Sequence, residues 1–219
     1  GAGPKLDAEI RAFVRQEINH TREHIAFNKL AESHGYDIKT IDKRVEEMLA
    51  LTKDRPAIVN LAATMALEHY TAMMAHEFLA NPKHFDKADP EVRAMWKWHA
   101  IEEVEHKGVA FDTWNHATQG WTPWRRWKVR NLMMLIVSVN FLRNRWQDSL
   151  NLLAQDGITG SKARLGLLKY LLWSPGVLRR IFPAWLAYFK PGFHPWDHDD
   201  RALIRKYEGE FSDALMPAE

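Results

Sequence analysis

The first 120 residues consist of long stretches of helix formers cut by Gly and Pro, with apolar positions recurring at three- and four-residue steps. Ile10, Phe13, Val14, Phe27 and Leu30 make such a stripe and place a first helix over about 6–33, ended by Gly35. A shorter second helix follows over about 38–52. The third starts near Pro56, a favoured first-turn proline, and stops near Ala80 before Asn81-Pro82. The fourth starts near Pro90 with Asp89 as its N-cap and runs unbroken to about Ala117, before Gly120. Alternating β-branched runs are few and no Asn-Gly hairpin turn occurs. The expectation is an all-α chain whose four helices, joined by short connections, pack up and down as an antiparallel bundle.

The pattern changes after Gly120. Residues 121–190 carry twelve Lys or Arg against two acids, together with six of the ten Trp. Residues 1–120 carry fifteen basic against nineteen acidic groups, and the tail from Pro191 three against seven. The chain therefore divides into a helical metal-binding bundle, 1–120, and a basic, Trp-rich helical extension, 121–219, packing on it. Such a stretch suits a membrane interface or an anionic lipid-like ligand; solvated Lys and Arg on the outside of a helical core account for it equally well. It does not read as a span. The purest apolar run, 132–142, has eleven residues, includes Ser138 and Asn140 and lies between Arg130 and Arg143, where about twenty apolar residues are needed.

Composition narrows the function classes. With 219 residues, 46% of them hydrophobic, the chain can bury a substantial core. The absence of cysteine excludes a disulfide framework, a zinc finger, an iron–sulfur centre and a thiol nucleophile. It is compatible with a cytoplasmic protein, and no signal peptide is visible. A net charge of +2 gives no argument for nucleic acid. There is no Gly-rich phosphate loop, Gly-x-Ser-x-Gly elbow or dinucleotide fingerprint.

The chemistry-bearing pattern is a pair of Glu-x-x-His motifs, Glu17/His20 on the first helix and Glu103/His106 on the fourth. Residues three apart share a helix face, so each pair can offer a carboxylate and an imidazole to one metal centre. The motifs alone are weak, because chance placement of eleven His among fifteen Glu would give about one. Register strengthens them. Glu17, Glu68 and Glu103 all lie twelve or thirteen residues from a helix end, at the same height of about 18–20 Å. Inward-facing carboxylates at mid-helix are costly unless paired or metal-bound. His99 extends the fourth helix to His-x-x-x-Glu-x-x-His. Glu17 and His20 would serve one metal and His99, Glu103 and His106 the other, with Glu68 bridging or terminal. Mixed imidazole and carboxylate donors suit iron first, with manganese or zinc as alternatives.

Three segments carry a family resemblance: Val14-Arg15-Gln16-Glu17 through His20 and His24; Ala66-Leu67-Glu68-His69-Tyr70-Thr71-Ala72; and Trp98-His99-Ala100-Ile101-Glu102-Glu103 through His106-Lys107 and Val109-Ala110-Phe111-Asp112. A fourth, Lys190-Pro191-Gly192-Phe193-His194-Pro195-Trp196-Asp197-His198-Asp199, fits as well. Together they resemble the bacterial family described as predicted metal-dependent hydrolase, over most of the chain. The resemblance implies a ferritin-like bundle, and the fourth-helix motif is similar to that of di-iron N-oxygenases acting on arylamines. It implies a protein using two metal ions to activate dioxygen for oxidation of a hydrophobic or aromatic substrate, with a reductase as partner. The alternatives are metal-dependent hydrolysis at the same residues, or a non-enzymatic metal- or lipid-binding protein associated peripherally with a membrane. Family members carry an upstream helix with a Gly-Glu-x-Phe-Phe element that has no counterpart here. The expectation is a leading segment outside this sequence, with Glu46 or Glu47 the substitutes in view.

The remaining residues receive lesser roles. His24, one turn past His20, reads as an outer hydrogen-bonding partner rather than a ligand. Glu102 is the alternative to Glu103, His69 reads as structural or as an outer partner, and Asp112 as a holder of a ligand histidine or a surface acid. Glu105, His76, His84 and His116 read as surface residues. Residues 191–200, with two His and three Asp around two Pro, read as a rigid loop docking on the bundle, with a second metal site the lesser alternative.

Overall fold

A computed structural model describes residues 2–207, whose secondary structure is helical, with no strand among them. The helices are α1 (Pro4–Ser33), α2 (Lys39–Ala50), α3 (Ala57–Ala80), α4 (Pro90–His106), α5 (Val109–Ala117), α6 (Pro123–Gln155), α7 (Gly160–Leu172) and α8 (Val177–Ala187). Residues 208–219 of the C-terminal extension lie outside the described residues. Starts follow the local chemistry. Asp89 accepts a hydrogen bond from the Glu91 N–H, Thr122 from that of Arg125, and Pro90 and Pro123 open their helices.

Helix α3 is the axis of the molecule. It is apolar on every side, as a helix surrounded by others must be, and packs against α4, α5, α6 and α8. Its Met65, Ala66, Tyr70 and Met73 join Phe111, Trp114, Met134, Ile181, Tyr188 and Phe193 in the larger core, which draws on both halves of the chain. A smaller core joins Ala75 and Leu79 to Ile101, Val104, Ile204 and Tyr207. Helix α1 packs on α4 and α5.

Three expectations are corrected. Helix α2 is not a member of the bundle: none of its residues is buried, Met48 and Leu49 are exposed, and its Arg44 pairs with Asp148 of α6. The place beside α3 goes to α6, whose Met134 and Val137 enter the core. The fourth helix does not run through to Ala117 but breaks at Lys107-Gly108. There the Lys107 amine leaves the helix surface to donate to Asp200 and to the His198 carbonyl, both at 2.6 Å. A Cβ at Gly108 would lie 2.4 Å from the Trp196 Nε1, so only glycine lets the C-terminal loop approach this closely. Finally, Val14 and Leu30 of the first-helix stripe are 49% and 47% exposed. α1 turns His20 inward instead, its one fully buried residue.

Residues 191–200 do dock on the bundle, with Phe193, Pro195 and Asp200 buried. Among the described residues no helix is long and apolar enough to cross a membrane. Helix α6 does expose Leu132, Leu135, Ile136 and Val139, a stripe at helical spacing.

Candidate metal centre

The α1/α4 contact brings five of the sequence-marked residues together. Glu17, His20 and His106 form one group and His20, His99 and Glu103 another, each with its ligand atoms within 4.8 Å of one another. Glu17 Oε1 lies 2.9 Å from His106 Nδ1 and 3.5 Å from His20 Nδ1. Glu103 Oε1 lies 3.6 Å from His20 Nδ1 and 3.4 Å from His99 Nε2. The grouping departs from the expected one: His106 sits with Glu17 on α1 rather than with Glu103 on its own helix, and His20 is shared.

The outer hydrogen bonds set the direction of each ring. Glu102 accepts from the His20 Nε2–H at 2.7 Å, and the Gln16 side-chain carbonyl accepts from the His106 Nε2–H at 3.0 Å. Both histidines thus spend the outer nitrogen on a side-chain acceptor and turn Nδ1 inward. This is how metal-ligating imidazoles are held. The inward atoms Glu17 Oε1, His20 Nδ1 and His106 Nδ1 are buried and have only one another as partners, and the buried Glu68 Oε2 has no hydrogen bond. Buried polar atoms are rarely left so. Several facing one point, with nitrogen and oxygen donors and no thiolate, fit a divalent first-row ion.

The electrostatics point the same way. Burial pushes the Glu17 carboxyl up, but the His106 and His20 imidazoles outweigh it and bring it down to about 2. Burial pushes His20 down, yet Glu17, Glu103 and Glu102 raise it overall. Burial and the neighbouring His20 and His24 drop His99 to about 3, leaving it neutral and available as a donor. Burial, reinforced by the charges of Glu103 and Glu17, pushes Glu68 up to about 9.

Other marked residues lie elsewhere or play other parts. Glu68 joins neither group of converging atoms; the charges of Glu103 and Glu17 act on it and favour its neutral form. Glu102 is the partner of His20 described above. His24 packs edge-on against His99, 4.9 Å between ring centroids. His69 faces away from the centre, buried between Tyr188 and Phe193 at 4.8 and 5.2 Å, and burial drops it to about 3. Asp112 holds His194 at 3.1 Å rather than any histidine of the centre. Glu46 and Glu47 are exposed on α2 and do not reach it. Glu105 and His116 are exposed, but the His84 side chain, expected at the surface, is 1% exposed and bonds Glu77 and Tyr170. Gln16, the partner of His106, carries no signal of its own in the sequence, being a neutral amide next to a motif.

With the geometry in place, comparison with known families is decisive. The family described as predicted metal-dependent hydrolase matches residues 2–199. The chain belongs to that family. No curated protein and no solved structure gives a match. Membership of the predicted metal-dependent hydrolases accords with a His/Glu cluster suited to a metal, and leaves the identity of the metal to experiment.

Proposed function

We propose that the chain is a metal-dependent hydrolase whose ion or ions are held between α1 and α4 by Glu17, His20, His99, Glu103 and His106. The observation that carries this reading is the paired orientation of His20 and His106, each anchored outward through Nε2 and presenting Nδ1 to carboxylates inside. A bound divalent ion supplies Lewis acidity, lowering the pKa of a coordinated water and polarising a substrate carbonyl or phosphoryl oxygen. The chain's own part is to fix the donors. Glu102 and Gln16 lock the ring tautomers, and Phe13 packs edge-on against His106 at 4.9 Å. Glu68, protonated in the metal-free state, stands ready to exchange a proton beside Glu17 and Glu103.

A second reading, dioxygen activation at two irons, rests on two donor groups lying side by side, Glu17 with His106 and His99 with Glu103, the single inward nitrogen of His20 serving one of them. One experiment separates the two. The purified chain is stripped, reloaded with zinc, manganese or iron, and assayed on ester and phosphoester substrates with and without a reductant. Hydrolysis by zinc- or manganese-loaded protein without reductant, lost in Glu17→Gln and Glu103→Gln, is the expected result. Turnover only with about two irons per chain, a reductant and oxygen would replace it with the oxidative reading.

A further inference from the structure

A cavity of about 520 Å3 is walled by α3, α8 and the C-terminal loop, with Met73, Ile181, Ala184 and Phe193 among its lining. On its rim, three side chains from distant parts of the sequence converge: His76 of α3, and His198 and Asp200 of the loop. His76 Nδ1 lies 2.7 Å from Asp200 Oδ1, His198 Nε2 lies 3.2 Å from the same oxygen, and the two nitrogens are 3.4 Å apart. We propose that His76, His198 and Asp200 form a second metal site, for a zinc-like divalent ion, independent of the α1/α4 centre.

The distances are those of a ligand set. An ion with bonds of about 2.0–2.2 Å separates its neighbouring donors by about 3.0 Å in octahedral and about 3.4 Å in tetrahedral geometry. Closing on an ion therefore asks only a few tenths of an ångström of these atoms. Two imidazoles and one carboxylate, with the remaining positions open, are also the donors of catalytic zinc and of non-haem iron(II) sites. All three donors line the cavity.

The site is built rather than incidental. Asp200 is 4% exposed, and its second oxygen accepts from the Lys107 amine at 2.6 Å, which orients the carboxylate and leaves Oδ1 for the imidazoles. Lys107 also donates to the His198 carbonyl at 2.6 Å and lies over the Trp196 ring at 4.3 Å, so one buried lysine clamps the backbone carrying two of the three donors. His76 comes eight residues after Glu68 on α3, about 12 Å further along the helix. The two sites share no ligand.

The test uses the full chain, stripped with a chelator and titrated with zinc, and in parallel with cobalt(II), whose visible absorption reports its coordination geometry. His20→Gln disables the α1/α4 centre and is expected to keep one zinc per chain. His198→Gln and His76→Gln are each expected to lose that ion or weaken it by at least about 10–100-fold. The His198 side chain is 60% exposed, so its replacement leaves the fold standing, as a melting curve would verify. Zinc stoichiometry and affinity in His198→Gln and His76→Gln equal to those of the unaltered chain would overturn the proposal. So would a His20→Gln protein that binds no zinc.

Discussion

Metal uptake at the α1/α4 centre should be coupled to loss of a proton from Glu68. In the metal-free protein, burial and the charges of Glu103 and Glu17 hold this carboxyl at a pKa of about 9, so at neutral pH it is protonated. A divalent ion between Glu17 and Glu103 reverses the local field and favours the carboxylate. Removing a proton two pH units below its pKa costs ~2.7 kcal/mol, and that cost is charged against the binding energy. It falls as pH rises, so apparent zinc affinity should grow about tenfold per pH unit through this group, or ~100-fold from pH 6 to pH 8. His20, whose pKa is raised by the same carboxylates, adds to the slope at its lower end. Calorimetric titration in buffers of different ionisation enthalpy counts the protons directly: about one per chain from Glu68 at pH 7. Glu68→Gln imitates the neutral carboxyl, preserves packing and should remove that proton from the count. A zinc affinity flat from pH 6 to pH 8, or a Glu68→Gln protein releasing as many protons as the unaltered chain, would refute the reasoning.

Other outcomes follow from the same contacts. Glu102→Gln, which replaces the carboxylate accepting from His20, should weaken metal binding about 10–100-fold with little change in melting temperature of the metal-free chain. Gly108→Ala should destabilise by about 1–3 kcal/mol, read from denaturant unfolding, since its Cβ would strike Trp196; Trp196→Ala should suppress most of that penalty in the double variant. Asp200 feels burial, which raises it, but His76 and Lys107 outweigh this and hold it at about 2, below its usual 3.8. Its contribution is thus complete above about pH 4 and is lost as pH falls towards 2. Acid unfolding of the metal-free chain should accordingly begin at lower pH than in Asp200→Asn, and coincident midpoints would count against this coupling.

The sequence on its own determined the helical class, the ends of α1 and α3 to within a few residues and the pairing of Glu with His along α1 and α4. The physical reason is that these are properties of periodicity: a 3.6-residue repeat, a first-turn proline or a carboxylate one turn from an imidazole is written in neighbouring positions. The same local reading placed Val14 and Leu30 inside and ran the fourth helix past Gly108, because nothing near those positions in sequence says what will pack there. Tertiary structure decided those points. Trp196 arrives from nearly ninety residues away to stop α4, and α6 takes the place beside α3 that α2 was expected to fill. It decided the donor groupings too. His106 turns to Glu17 across the helix interface instead of to Glu103 on its own helix, and His76, unremarkable in its own stretch, acquires His198 and Asp200 as neighbours. Burial, field and mutual distance depend on where separate helices meet, and a one-dimensional pattern carries only the half of each contact that lies on its own element.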